Sequence, residues 1–276
     1  MKETLIPIAT VILIWWTSTG AVLWLARGLD KQMNLRLIGM TVLCALGFAG
    51  VLVASSQTGV WAVYLGFVSA IVIWGWVEFT LLSGMITGSR TEDCPADVSE
   101  PERFKMAFRA IAHHEYALVV MLVSLAILDS SGGTGMAIKT FALLWIMRLG
   151  AKLTIFSGAP ELSTNMIPER LSYMKSYFRH DRISFAFWMS LAGCIFFFSG
   201  GIYALNHVQY DAAVQTQVTM LTTLVALAIL EHIFMVLPVA DSRLWSWAMS
   251  QQSPPPGGSE GAGNTALQDR RPAGRS

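Results

Sequence analysis

The chain has 276 residues, of which 54% are hydrophobic and only 13% are charged, and its formal net charge is +1. Soluble domains carry about 25% charged residues, so this composition excludes an ordinary soluble protein and offers no basic surface to a nucleic acid. The apolar residues fall into runs of roughly 20, the length that crosses a hydrocarbon core. The sequence therefore predicts an all-α, polytopic membrane bundle that is surrounded by lipid.

Seven spans are predicted in chain order. The first apolar run is too long for a signal peptide, and no small-residue cleavage site follows it, so it counts as a span. The predicted spans are 5–26, 36–55, 60–87, 104–128, 135–157, 184–205 and 213–239. Residues 1–249 are expected to form one transmembrane domain. Residues 250–276 are rich in Pro, Gly and Ser without apolar periodicity, which predicts a disordered cytoplasmic tail.

The basic residues predict the orientation of the bundle. With seven spans, 17 of the 19 Lys and Arg residues lie on one side, in loops, adjoining span ends and the tail. Only Lys2 and Lys139 lie on the other side. Basic residues concentrate on the cytoplasmic side of inner-membrane proteins. The sequence therefore predicts a periplasmic N-terminus and a cytoplasmic C-terminus.

Two segments on the predicted cytoplasmic side have apolar faces of their own. Residues 168–178 begin with a proline suited to a first helical turn, and Leu171, Met174 and Phe178 alternate with charged residues. That pattern is typical of an amphipathic helix in the headgroup interface. Residues 244–248 contain two tryptophans and are expected to anchor at the same interface.

Ionisable residues interrupt four of the predicted spans. Such residues are rare in hydrocarbon and mark functional or paired positions. Counted at ~1.5 Å per helical residue, those in the four spans lie at a similar depth in the cytoplasmic half. We call the following seven residues the polar layer and treat it as the candidate functional site: Glu78, His114, Glu115, Arg148, Lys152, Glu231 and His232.

The residue types of the polar layer leave three interpretations open. Carboxylates and imidazoles are ligands for non-haem iron, manganese or zinc, although the adjacent pair His114-Glu115 diverges by about 100° around a helix. Alternatively, Arg148 and Lys152 share a helix face and balance the carboxylates in a buried ion-pair network. That network predicts that loss of Arg148 is better tolerated when a carboxylate such as Glu231 is also removed.

The third interpretation is a pigment or haem site. His113, His114 or His232 would then be an axial ligand, and the tryptophans of the spans would supply flat aromatic surfaces. His113 also continues a basic stripe with Lys105 and Arg109 at intervals of four residues.

Several motifs, in one order along the chain, are similar to those of the PuhE family. This family comprises putative photosynthetic complex assembly proteins of anoxygenic phototrophic bacteria. The resemblance covers about 5–249 and every residue of the polar layer. The matching segments are 15–20, 74–78 with Thr87-Gly88, Cys94-Pro95, His114-Glu115, 144–153, 173–178, and 230–232 with 236–238.

The resemblance implies a role in assembling the photosynthetic reaction centre and its core antenna, or in regulating bacteriochlorophyll supply to them. It implies a bacterial inner membrane, cytoplasmic or intracytoplasmic, and partners among reaction-centre or core-antenna subunits or other assembly factors. It brings no catalytic residue with it. The alternatives are a membrane-embedded metal-dependent oxidoreductase and a carrier of pigment or haem, each using the polar layer.

Overall fold

A computed structural model describes residues 2–27, 32–129, 132–161, 167–237 and 244–249, without the side chains of 2, 3 and 249. It contains seven helices that are long and apolar enough to cross a membrane, and no strand within the described ranges. The predicted fold class is confirmed, whereas the predicted tail 250–276 lies outside the described residues. The helices are α1 Lys2–Ala26, α2 Met33–Ser55, α3 Val60–Leu82, α4 Glu100–Leu128, α5 Met136–Ser157, α6 Phe185–His207 and α7 Ala212–Phe234.

Helix α4 begins four residues before the predicted span. Ser99 and Glu102 form a capping box, in which the Ser99 backbone N–H donates to the Glu102 carboxylate. Pro101 occupies one of the first two helical positions, where its missing N–H is not needed. These signals extend the helix at its N-terminus to 29 residues.

Helices α3 and α7 end earlier than the predicted spans. Gly84 adopts a φ of 77°, a left-handed conformation that favours glycine. The backbone N–H groups of Met85 and Ile86 then both donate to the Thr80 carbonyl, at 2.9 and 3.0 Å. The chain therefore turns back after Leu82 rather than continuing to 87. Helix α7 likewise ends at Phe234 rather than 239.

Helix α3 is the central helix of the bundle. It contacts α1, α2, α4, α5 and α7, and most of its side chains are buried. Gly47 and Gly50 of α2 lie against Ser69 of α3, where an added Cβ would come within 2.3 to 3.2 Å of Ser69 atoms. Helix α6 has its main contacts with α5 and α7 only, which leaves Phe185 and Phe196 exposed to the surroundings.

The two halves of the bundle differ in character. We call the end at which α1, α3, α5 and α7 finish the arginine-rich end. The opposite half is filled by an apolar cluster from α1, α3, α5 and α7. Its buried members are Val11, Val63, Phe67, Ile71, Met136, Met220 and Leu224. Buried polar side chains, among them Thr140, Gln217 and Thr219, also lie in this half.

Three connecting segments cover the arginine-rich end: the loop 83–99, a 3-10 helix Glu169–Tyr177, and the short helix α8 Ser246–Met249. The segment predicted as an interfacial amphipathic helix forms the 3-10 helix, which is kinked at Leu171, where φ is −111° and ψ is 16°. Its apolar side chains pack against Leu81 of α3 and Ala110 of α4. Protein contact, rather than a free amphipathic face, determines its position.

Arg103 and Arg170 fasten this cover to the helices. Buried Arg103 donates to the Tyr177 carbonyl at 2.5 Å and to the Phe156 carbonyl at 3.0 Å. Its guanidinium carbon also lies 3.7 Å from the centre of the Phe156 ring. Arg170 donates to the carbonyls of Ser83 and Ala26, at 3.0 and 3.3 Å. The cover therefore joins the ends of α1, α3, α4 and α5.

The orientation of the bundle is a testable prediction. Fusion of a reporter that is active only in the periplasm should give activity after Lys2 or at Gly133. Fusions at Val98, Met166 or Ser259 should be silent, because the basic residues hold these positions in the cytoplasm. A strong periplasmic signal at Met166 would contradict the predicted orientation.

Candidate functional site

The shortest ion pair of the polar layer joins α4 and α5. The Lys152 Nζ lies 2.5 Å from the Glu115 Oε1, and both side chains are largely buried, with 19% and 11% of their surface exposed. The other carboxylate oxygen lies 3.4 Å from the Trp145 indole nitrogen. Both carboxylate oxygens therefore have a donor, as an ionised carboxylate in a membrane requires.

A second ion pair joins α3 and α5. The Arg148 Nη2 donates to the Glu78 Oε2 at 3.3 Å, and the Glu78 Oε1 lies 4.0 Å from the His114 Nε2. His114 is fully buried, and neither of its ring nitrogens has a hydrogen-bond partner in the described part of the chain. Glu78 therefore lies between a cationic guanidinium and an imidazole.

Glu231 of α7 accepts a hydrogen bond from α1. The Trp15 indole N–H donates to the Glu231 Oε1 at 3.0 Å. Trp15 in turn packs edge-on against Trp245, with ring centres 5.4 Å apart. The Trp245 indole donates to the Trp16 carbonyl at 3.1 Å. The segment that leads into α8, expected at the headgroup interface, thus packs against the middle of α1.

The two remaining candidate histidines point elsewhere. The His232 Nδ1 lies 2.8 Å from the Ala228 carbonyl of its own helix. Its buried Nε2, which has no partner among the described residues, faces Gly150 of α5. His113 lies on the exposed face of α4. The structure therefore brings together Glu78, His114, Glu115, Arg148, Lys152 and Glu231, but it directs His232 and His113 away from them.

The polar layer lies at the level where the two central helices end. Glu78 is four residues before the end of α3, and Glu231 is three before the end of α7, or about 5 to 6 Å. By contrast, α5 continues for nine residues beyond Arg148, roughly 13 Å. The polar layer therefore lies closer to the ends of α3 and α7 than to the end of α5. The predicted span ends had placed Glu78 and Glu231 deeper below the ends of α3 and α7.

The loop 83–99 packs against α4 beside the polar layer. The Thr87 carbonyl accepts a hydrogen bond from the His114 backbone N–H at 3.0 Å. Gly88 lies so close to α4 that an added Cβ would be 1.9 Å from the Arg109 carbonyl oxygen. A glycine is required at this approach because the clash is with backbone. The loop thereby fixes the height of His114 and Glu115 relative to α3.

The metal and pigment interpretations require different arrangements of ligand side chains. No group of three His, Cys, Asp or Glu side chains suited to a metal ion occurs among the residues that the structure describes. His114 and His232 are at most 2% exposed, so neither has room for the plane of a macrocycle beside its ring. Only His113 among the three candidate axial ligands lies on an open face.

Two contributors to the site were missed at the level of sequence. Trp15 and Trp145 donate their indole N–H groups to Glu231 and Glu115, whereas the sequence suggested only flat surfaces or interfacial anchors. For Trp145 a signal existed. It lies three residues before Arg148 and seven before Lys152, which places it on the same helical face.

Comparison with known proteins gives two matches. A family described as protein of unknown function (DUF3623) matches residues 1–255. A Rhodobacter capsulatus protein, described as an uncharacterized 30.4 kDa protein in the puhA 5'region, is 34% identical over 250 residues. The alignment covers 89% of this chain and 91% of that protein. No solved structure matches.

Proposed function

The chain belongs to the DUF3623 family of proteins of unknown function, and we propose that it is an assembly factor of bacterial photosynthesis. It would reside in the inner, cytoplasmic or intracytoplasmic, membrane. It would promote assembly of the reaction centre and core antenna, or regulate bacteriochlorophyll supply to them. Its partners would be subunits of those complexes or other assembly factors.

The description of the Rhodobacter capsulatus relative carries this proposal. That protein is described by its position in the 5' region of puhA, a photosynthesis gene. The alignment spans nearly the whole of both chains, so the two bundles correspond along their length. The motifs that resemble the PuhE family support the same assignment, because they include every residue of the polar layer.

The geometry favours action by contact rather than by transport. A packed apolar cluster occupies the core of the half of the bundle opposite the arginine-rich end. The polar layer is instead covered by the loop 83–99 and its neighbours, which Arg103 and Arg170 hold in place. We propose that the layer fixes the helices and that the rigid bundle binds its partners.

The direct test is deletion of the gene in its phototrophic host. The near-infrared absorption of isolated membranes, which reports assembled reaction centre and core antenna, should fall several-fold and return with a plasmid copy. Respiratory growth should not change, because the proposed partners are photosynthetic. Unchanged near-infrared bands in the deletion strain would contradict the proposal.

The exposure of His113 favours one further candidate function, a carrier of pigment or haem. An axial imidazole needs an open face for the macrocycle, and α4 also exposes Phe108 and Tyr116, whose ring centres are 6.5 Å apart. A tetrapyrrole spectrum in the purified protein that disappears in His113→Ala and persists in His232→Ala would establish this function. A colourless protein would exclude a stably bound pigment.

A further inference from the structure

Glu231 differs from the other two carboxylates of the polar layer in having no basic partner. Glu78 is paired with Arg148, and Glu115 with Lys152. Within the described residues, no Lys or Arg nitrogen lies within 4.0 Å of the Glu231 carboxylate, and its hydrogen-bond donor is the neutral indole of Trp15. An indole carries no charge, so this hydrogen bond does not neutralise a carboxylate.

The charges of the layer do not balance. Three carboxylates face one Arg and one Lys side chain, and each of these basic groups is already paired. His114 lies 4.0 Å from Glu78 and is fully buried without a hydrogen bond among the described residues. A positive charge on its ring would therefore have no hydrogen-bond acceptor among them. An uncompensated anion in a membrane is costly, whereas a hydrogen-bonded carboxylic acid is tolerated.

Glu231 is not sealed inside the bundle. On α5 the lipid-facing residues are Ile146, Leu149 and Leu153, all exposed. At about 100° per residue, Arg148 points to the opposite, interior side. Its side chain is nevertheless 44% exposed. Glu231 itself is only partly buried.

We propose that Glu231 is a proton-binding site, and that it is a neutral carboxylic acid while Arg148 is paired with Glu78. The groups that face it are Trp15 on α1, Glu78 on α3, Arg148 on α5 and Cys194 on α6, with His232 beside it on α7. Release of the proton to water would leave a carboxylate that competes with Glu78 for Arg148. The proton on Glu231 thus determines whether Arg148 of α5 is paired with Glu78 of α3 or with Glu231 of α7.

The first test uses the fact that glutamine is the neutral isostere of a protonated glutamate. Glu231→Gln should accumulate in membranes and melt within about 2 °C of the wild type, which is about the shift of a near-neutral surface change in a chain of this size. The matched change Glu115→Gln removes a carboxylate that is paired with Lys152, so it should lower accumulation several-fold. Equal loss in the two variants, including failure of Glu231→Gln to fold, would overturn the proposal.

The second test reads the proton itself. Infrared spectra of the wild-type protein in lipid nanodiscs at neutral pH should contain the carbonyl band of a protonated carboxylic acid that shifts in D2O. The band should be absent from Glu231→Gln, and Trp15→Phe should raise its frequency, because a hydrogen bond to the acid is lost. A wild-type spectrum without the band, or its persistence in Glu231→Gln, would contradict the proposal.

Discussion

Replacing Lys152 by Met is expected to lower the free energy of unfolding by about 3 to 5 kcal/mol, the range for breaking a buried ion pair. The size follows from geometry, because the Lys152 nitrogen lies 2.5 Å from the Glu115 carboxylate and both side chains are largely buried. The substitution leaves that carboxylate with only the Trp145 indole. Thermal melting in detergent, followed by the fluorescence of the ten tryptophans, measures the effect.

The control for this prediction is Lys105→Met, the same change at an exposed position of α4. Surface substitutions usually alter stability by about 0.5 kcal/mol or less. Glu115→Gln combined with Lys152→Met should recover part of the loss, since removing both charges avoids a lone buried ion. If Lys152→Met melted like Lys105→Met, the pair would make no contribution to the fold.

Arg148→Leu is expected to have the second largest effect. Its partner Glu78 is buried, but the Arg148 side chain is 44% exposed and the closest contact is longer, at 3.3 Å. The loss should therefore fall between the roughly 1 kcal/mol of an exposed pair and the about 3 to 5 kcal/mol of a buried one. Arg109→Leu, at an exposed position of α4, is the matched control in the same melting experiment.

The identity of the rescuing carboxylate distinguishes the structure from the sequence-based expectation. The structure pairs Arg148 with Glu78, whereas the sequence suggested Glu231 as one suitable partner. Glu78→Gln should therefore restore part of the stability lost in Arg148→Leu, and Glu231→Gln should not. Rescue by Glu231→Gln alone would show that Arg148 is paired with Glu231 of α7 rather than with Glu78 of α3.

Hydropathy and helix periodicity were sufficient for the fold class, because seven apolar runs of membrane length leave few alternatives. The helix ends were harder to locate. The capping box at Ser99 and the glycine turn at Gly84 are local signals. Hydropathy averaged over a whole span does not detect them. The 3-10 conformation of Glu169–Tyr177 follows from long-range contacts with α3 and α4, which no local pattern contains.

The residues of the polar layer could be found from the sequence, because ionisable side chains stand out in apolar spans. The pairing of these residues could not be predicted from the sequence, since it depends on how the helices are rotated about their axes. That rotation turns His232 toward Gly150, and it also brings Trp15 of α1 to Glu231 of α7. The short distance of Glu78 and Glu231 from the ends of α3 and α7 was not foreseen either, because these helices end earlier than the predicted spans.

The central claim is that the polar layer acts as a charge network that holds together a bundle needed for photosynthetic complex assembly. The decisive measurement is the near-infrared absorption of phototrophic membranes per unit of accumulated protein in Arg148→Leu/Glu78→Gln. The account predicts that the double variant accumulates better than Arg148→Leu alone and that complex levels rise in proportion. A double variant that accumulates normally while the near-infrared bands stay absent would contradict the account, because the charges would then be needed for something other than the fold.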